Sequence, residues 1–235
     1  VTYHGNNYLP EGEINLKKMR KVFDVDHIIF KPSKKLLVKM NRLCFKMMGD
    51  MNWHAHCGIY TYPVQVAVKF KVPLIIWGEN ALIDLVGMYS MNDFAEMTAK
   101  NRLEYSQRGF DWYDMVNDEE GITEQDLCWA KYPSDEELAE NKIRGIYLGD
   151  YINWDSNKQT DIVKKEYGWK EATKAFDRTY RKMSNVDDMH ENGAHDYLKY
   201  VKFGYGRASD HSCKDIRRGY MTRDLGVEMV RKYDH

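Results

Sequence analysis

Much that would mark a non-globular chain is scarce in these 235 residues. There are only five prolines and 16 glycines, while 43% of the chain is hydrophobic and 30% charged. That excludes collagen-like, low-complexity and wholly disordered classes. No apolar run approaches the roughly 18–20 residues that cross a bilayer. The longest, Val72 to Trp77, is interrupted by Pro73. There is no initiator Met and no basic-then-apolar leader. Val1-Thr2-Tyr3 reads as the end of a strand already under way, so the expectation is a chain that starts inside a larger protein. The four cysteines, Cys44, Cys57, Cys128 and Cys213, form no Cys-x-x-Cys pair. A reduced, cytoplasmic protein is the default for such cysteine usage. Charge of one sign is lacking too: 35 basic against 36 acidic residues. Nucleic-acid binders are usually basic, so neither a nucleic acid nor a membrane is the expected partner.

The balanced charge is unevenly distributed. Residues 1–90 carry 12 basic and 7 acidic side chains, residues 111–166 carry 6 and 15, and residues 199–235 carry 9 and 5. Basic ends around an acidic middle suit an anion site built from both ends. A solvated acidic insertion is the plainer alternative.

Hydrophobic periodicity organises the first 90 residues. Glu13 to Phe23 reads as a helix burying Ile14, Leu16 and Met19. Asp26 to Phe30 reads as a short buried strand, ended by Pro32 and Ser33, which also cap the next helix. From Lys34 to Met48, Leu36, Leu37, Met40, Leu43, Cys44 and Met47 fall on one helical face, and Gly49 stops the run. A loop, a helix over Tyr62 to Phe70 and a second buried strand, Val72 to Trp77, follow. Non-alternating strands separated by helices indicate a parallel sheet covered on both faces. Ligands on such sheets bind beyond the carboxyl ends of the strands. Residues 91–196 read as an acidic, aromatic, mainly helical region without strands. Its helices are expected at Met91 to Gln107, Ser134 to Lys142, Thr160 to Tyr167 and Trp169 to Met183. Residues 197–235 form a basic segment ending in a helix near Arg223 to Lys232.

Four stretches carry residue types suited to chemistry. Gly78-Glu79-Asn80 follows the strand ending at Trp77. There a glycine lets backbone approach a ligand, and the Glu and Asn supply an acceptor and an amide. An ordinary turn is the alternative. Asn52-Trp53-His54-Ala55-His56-Cys57-Gly58 offers two imidazoles and a thiol for zinc or substrate, or a plain polar loop. A closed zinc site needs four ligands, and this stretch offers at most three. Lys202-Phe203-Gly204-Tyr205-Gly206-Arg207, with Arg217 and Arg223 downstream, places glycines beside fixed cations. That combination can wrap phosphate or simply form a solvated basic turn. In Tyr151-Ile152-Asn153-Trp154-Asp155, Trp154 can stack on a sugar or base and Asp155 can bond hydroxyls, or Trp154 can serve as an anchor.

Taken in this order, these stretches resemble the N-acetyl sugar amidotransferase family of ATP-pyrophosphatase-type enzymes. The resemblance also runs through Val25-Asp26-His27-Ile28-Ile29-Phe30-Lys31-Pro32, His56-Cys57-Gly58-Ile59, Val72 to Asn80 and Asp215-Ile216-Arg217. It implies an α/β, Rossmann-like parallel sheet of the adenine nucleotide α-hydrolase type. It implies conversion of an acetamido group to an acetamidino group on a nucleotide-linked N-acetyl sugar or nonulosonic acid, in O-antigen or pseudaminic acid synthesis. ATP with Mg2+ would adenylate the amide oxygen, and a glutaminase would supply ammonia through a cyclase-like partner. On that resemblance Gly78, Glu79 and Asn80 sit near the adenylate. Lys202, Gly204, Arg207, Arg217 and Arg223 bind the nucleotide, and Trp154 and Asp155 bind sugar. His54 or His56 moves a proton, and Cys57 is a candidate ligand for Zn2+. Two family features are absent: the Ser-Gly-Gly-x-Asp-Ser phosphate loop and a cysteine-rich amino-terminal segment. Both would lie upstream of Val1, so the expectation is a fragment. Rival readings are a tRNA-thiolating ligase of the same fold, a non-catalytic binding module and a metal-dependent hydrolase. The family reading needs the Gly78 and Arg207 loops to meet over one nucleotide.

Overall fold

A computed structural model describes residues 1–79, 92, 96–184, 186 and 189–235. It is a mixed α/β structure in two compact units. One comprises residues 1–4 and 27–156, the other residues 5–26 and 157–235. No helix among the described residues is long and apolar enough to cross a membrane.

The first unit holds two small parallel sheets. β1 (Thr2–Tyr3) pairs with β2 (Ile29–Phe30), Thr2 opposite Ile29 and Tyr3 opposite Phe30. The Thr2 and His4 amides donate to the Ile28 and Phe30 carbonyls, each at 2.9 Å. Between β2 and the next strand run α2 (Lys34–Met48) and α3 (Trp53–Phe70). β3 (Leu74–Trp77) then pairs in parallel with β4 (Arg144–Tyr147), Trp77 opposite Tyr147. Between β3 and β4 lie the single turn α4 (Ala99–Asn101), short 3-10 turns and α5 (Asp135–Glu140). Parallel pairing agrees with the sequence expectation. Burial of β3 does not: Leu74 is 44% and Ile76 59% exposed. β4 corrects the expectation of a strandless middle. Arg-Gly-Ile-Tyr shows no hydrophobic alternation, and it is strand because β3 gives its backbone a partner.

α2 forms as its periodicity predicts. It buries Leu37, Met40, Leu43 and Cys44, and Gly49, at φ 62°, closes it by donating to the Phe45 carbonyl at 3.0 Å. Met47, expected on the buried face, is exposed. Ser33 occupies the N-cap position without a side-chain capping bond. α3 begins at Trp53, nine residues before the expected helix, and so absorbs the predicted loop. Trp53 and Cys57, one turn apart, enter the same core as Tyr3, Met40, Leu43, Met115, Leu127 and Trp129. That burial outweighs the weak helix propensity of the stretch. The acidic stretch is tied to α2, for Glu120 accepts from Arg42 at 2.9 Å and pairs with Lys46 at 3.2 Å.

The second unit packs α1 (Pro10–Phe23) with α6 (Ser156–Tyr167), α7 (Met189–Phe203), α8 (Arg207–Arg217) and α9 (Arg223–Tyr233). Asn15 clasps Lys170, donating to its carbonyl at 2.7 Å and accepting from its amide at 2.8 Å. α1 buries Gly12 and Asn15, while Ile14 and Met19, expected inside, are exposed. The segment expected to be helical from Trp169 to Met183 is irregular, with Ala172, Phe176 and Val186 forming a small apolar cluster. α9 matches its predicted position. Of the helix expected from Met91, residues 91 and 93–95 lie outside the described residues. Of the described residues in that range, 99–101 form α4 and Arg102–Ser106 a π-helical turn, while 92, 96–98 and 107 are not helical.

Candidate functional site

The carboxyl ends of β3 and β4 bring two of the sequence motifs together. Gly78 leaves β3, and its carbonyl accepts from the Gly149 amide beyond β4 at 2.9 Å. The Trp154 ring lies against Gly78 so closely that a β-carbon there would sit 2.7 Å from the indole Cη2. Glycine is required at 78 by that approach. Below the turn, Tyr60 stacks on Trp77 at 6.2 Å and Trp77 packs on Tyr147 at 5.9 Å. Burial raises the Tyr60 phenol far above its ordinary value, with Tyr147 and Glu79 adding to it. Burial, then Asp150, pushes Tyr147 up to about 12. Both phenols stay protonated and neutral at pH 7. Asp155 is buried, Glu79 is half-buried, and both have partners. Asn80 lies outside the described residues. The arrangement is an apolar aromatic floor under a glycine turn with carboxylates alongside.

The His54, His56 and Cys57 cluster takes a different form from a ligand loop. On α3, residues 54 and 56 project about 200° apart. His54 is buried, its Nδ1 3.1 Å from the Tyr3 hydroxyl, while His56 is half-exposed. Cys57 faces the core, with Thr61 Oγ1 at 3.7 Å and the Ala130 carbonyl at 3.8 Å. Burial pushes its thiol up to about 12, opposing the thiolate that binds metal. Among the described residues, no three His, Cys, Asp or Glu side chains gather as a metal site.

The glycine-bearing basic loop belongs to the second unit. Gly204, at φ 76°, ends α7, and Gly206 is the N-cap of α8. Its backbone donors cradle an oxyanion supplied by the same chain. The Asp234 carboxylate accepts from the Gly206 and Ala208 amides at 2.9 Å each and from the Ser209 hydroxyl at 2.6 Å. Arg207 is engaged as well. Its Nε lies 3.1 and 3.0 Å from the two carboxylate oxygens of fully buried Asp196, and its Nη2 is 2.9 Å from Oδ1. Lys202, Arg217 and Arg223 are exposed.

Beside this loop runs a buried polar network that the motif reading passed over. Asp215 accepts from the Tyr180 hydroxyl at 2.5 Å, Arg181 at 2.6 Å and Asn157 at 2.9 Å. Thr179 Oγ1 lies 2.7 Å from His211 Nδ1. Burial, then the cations of Arg181, Arg207, Lys214 and Lys199, holds the His211 imidazole well below its ordinary value of 6.5.

Residues 173–235 match the family model of LPS biosynthesis protein WbpG-like, C-terminal domain. No curated protein matches the chain. The WbpG-like stretch, about a quarter of the chain, contains the Asp234 cradle, the Arg207–Asp196 pair and nearly all of the Asp215 network. It relates this part of the chain to lipopolysaccharide biosynthesis.

Gly78, Glu79, Trp154 and Asp155 thus share the first unit with His54, His56 and Cys57, whereas Lys202, Gly204, Arg207, Arg217 and Arg223 belong to the second. A signal for the missed network exists in the sequence. Arg207, His211 and Asp215 recur every fourth residue and therefore share one face of α8.

Proposed function

We propose that the chain belongs to an ATP-dependent amidotransferase of surface-polysaccharide biosynthesis. On this reading, an acetamido group on a nucleotide-linked N-acetyl sugar or nonulosonic acid becomes an acetamidino group. The amide oxygen leaves on AMP, pyrophosphate is released, and ammonia from a partner glutaminase, delivered through a cyclase-like subunit, supplies the new nitrogen. The match of residues 173–235 to an LPS biosynthesis domain carries the reading. The glycine turn beyond β3, where parallel sheets take ligands, supports it.

The residues fit ATP and Mg2+ unequally. The Gly78 turn, with Glu79 beside it and an aromatic floor beneath, suits an adenylate. ATP would supply the activation that makes the amide oxygen a leaving group. Arg207 does not fit a phosphate role while it holds Asp196, and the amides around Gly206 already hold Asp234. No phosphate contact is therefore assigned to Arg207. Trp154 and Asp155 orient the sugar. His56, half-exposed on α3, takes the proton shed by ammonia, since an imidazole titrates near neutrality. Buried His54 holds the helix start against β1.

The test uses the complete protein with any residues upstream of Val1 present. Supplied with ATP, Mg2+, ammonia and a nucleotide-linked N-acetyl sugar, it releases pyrophosphate and forms a product in which NH replaces O by mass. Absence of pyrophosphate release across a panel of N-acetyl sugars rejects the reading. A Ser-Gly-Gly-x-Asp-Ser motif upstream of Val1 is the corresponding sequence expectation.

A further inference from the structure

The second unit contains a hollow of about 600 Å³ that none of the motifs above reaches. Small-molecule sites are typically about 300–1,000 Å³. Three segments wall it: the turn at 175–178, the Gly193–Tyr197 face of α7 and the end of α9 with His235. Arg178 is anchored from two sides. It is a non-glycine residue in the left-handed region, at φ 62°. Its guanidinium lies 4.5 Å over the Tyr197 ring and donates through Nη1 to the Asp234 carbonyl at 3.2 Å. A long cationic side chain is thus held still by contacts from two elements, on a backbone conformation that is unfavourable for its type. Such pre-organisation lowers the entropic cost of binding an anion through the guanidinium fork.

The other walls narrow the ligand. Lys232 adds a second cation and His235 an imidazole whose Nδ1 lies 2.9 Å from the Tyr200 hydroxyl, and Asp177 is the one carboxylate side chain among the described lining residues. Tyr197 and Tyr233 line it too, one face of each ring covered by the Arg178 guanidinium and the Lys232 ammonium, at 4.5 and 5.1 Å, which leaves the opposite faces. Cations select a negative charge, aromatic faces select the apolar face of a pyranose ring, and a lone carboxylate accepts from hydroxyls. A polyphosphate would be repelled by Asp177, and inorganic phosphate would leave the tyrosines without a role. We infer that this hollow is a binding site for an acidic sugar, a pyranose carrying one carboxylate or phosphate, held by Arg178 and Lys232 against Tyr197. The site goes beyond the amidation reading and does not require it, because it lies wholly within the second unit.

Titration of the whole chain, followed by calorimetry and by NMR shifts, tests this without ATP. The probes are a hexuronate, a hexose 1-phosphate, a neutral N-acetylhexosamine and inorganic phosphate. One of the two charged sugars is expected to bind more tightly than both the neutral sugar and phosphate. Which one wins tells carboxylate from phosphate. Arg178→Lys, which keeps charge and backbone conformation but removes the fork, weakens that binding about 10- to 100-fold. Tyr197→Ala also weakens it, and Lys232→Ala on the exposed end of α9 does so without threatening the fold. The inference is overturned if neither charged sugar binds, if neutral sugar or phosphate binds as well, or if Arg178→Lys and Lys232→Ala both bind as the parent does. The amidation reading is judged by pyrophosphate release alone, so the two fail separately.

Discussion

Replacing Arg207 separates a structural role from a nucleotide-binding one. Asp196 is fully buried on α7, and Arg207, about a fifth exposed, bonds both of its oxygens. Arg207→Ala leaves that carboxylate inside the protein without its guanidinium. Removing one partner of a buried pair costs about 3–5 kcal/mol, because the remaining charge keeps its desolvation penalty. For a protein of this size that lowers the unfolding midpoint by roughly 6–20 °C. The assay is urea and thermal unfolding followed by circular dichroism and tryptophan fluorescence. Arg207→Lys keeps a cation near Asp196 and falls between parent and Ala variant. The double variant Asp196→Asn with Arg207→Gln costs less than the two single changes combined, since neither charge is then stranded. An Arg207→Ala protein within about 0.5 kcal/mol of the parent refutes the buried-pair argument. Normal stability together with lost pyrophosphate release would restore the phosphate role.

Gly78→Ala drives a methyl group to within 2.7 Å of Trp154. Overpacking of this kind costs about 1–3 kcal/mol, and a shift in tryptophan emission reports the displaced ring. At pH 8 a thiol reagent titrates exposed Cys128 and Cys213, while Cys44 and Cys57, both pushed by burial up to about 12, react only after denaturant is added. Four rapidly reacting thiols in the native protein would show that Cys57 is accessible. The raised thiol values also set a sign: the stability they give is whole below pH 9 and is lost as pH rises toward 12. His211 acts in the opposite sense. The unfolded chain takes up its proton near pH 6.5 and the folded one well below, so the stability is present above 6.5 and falls on acidification. The loss is about 1.4 kcal/mol per pH unit. His211→Gln flattens the urea-midpoint profile between pH 7 and 5, and an unchanged slope in that variant contradicts the assignment.

Local signals were legible wherever local physics decided the outcome. α2 follows its apolar spacing, and Gly49 ends it because the left-handed conformation there suits glycine. α9 was readable for the same reason. The start of α3 was hidden, because Asn, His and Gly look like loop until Trp53 and Cys57 find a core to enter. β4 was hidden as well, since four residues including a glycine become strand only beside β3.

Residue types alone determined which groups the molecule has to work with: glycine turns, a basic carboxyl-terminal segment and aromatic residues at the end of a parallel strand. They also determined the Arg207, His211 and Asp215 spacing that makes one face of α8. Tertiary structure alone decided the partners. It set Trp154 on Gly78, gave the amides around Gly206 to Asp234, spent Arg207 on Asp196 and gathered Arg178, Tyr197 and Lys232 around one hollow. The reason is that charge and hydrogen-bonding capacity belong to the side chain, whereas desolvation and distance belong to the fold. An arginine in a glycine-rich loop binds an external anion or an internal one according to which carboxylate the packing has buried beside it.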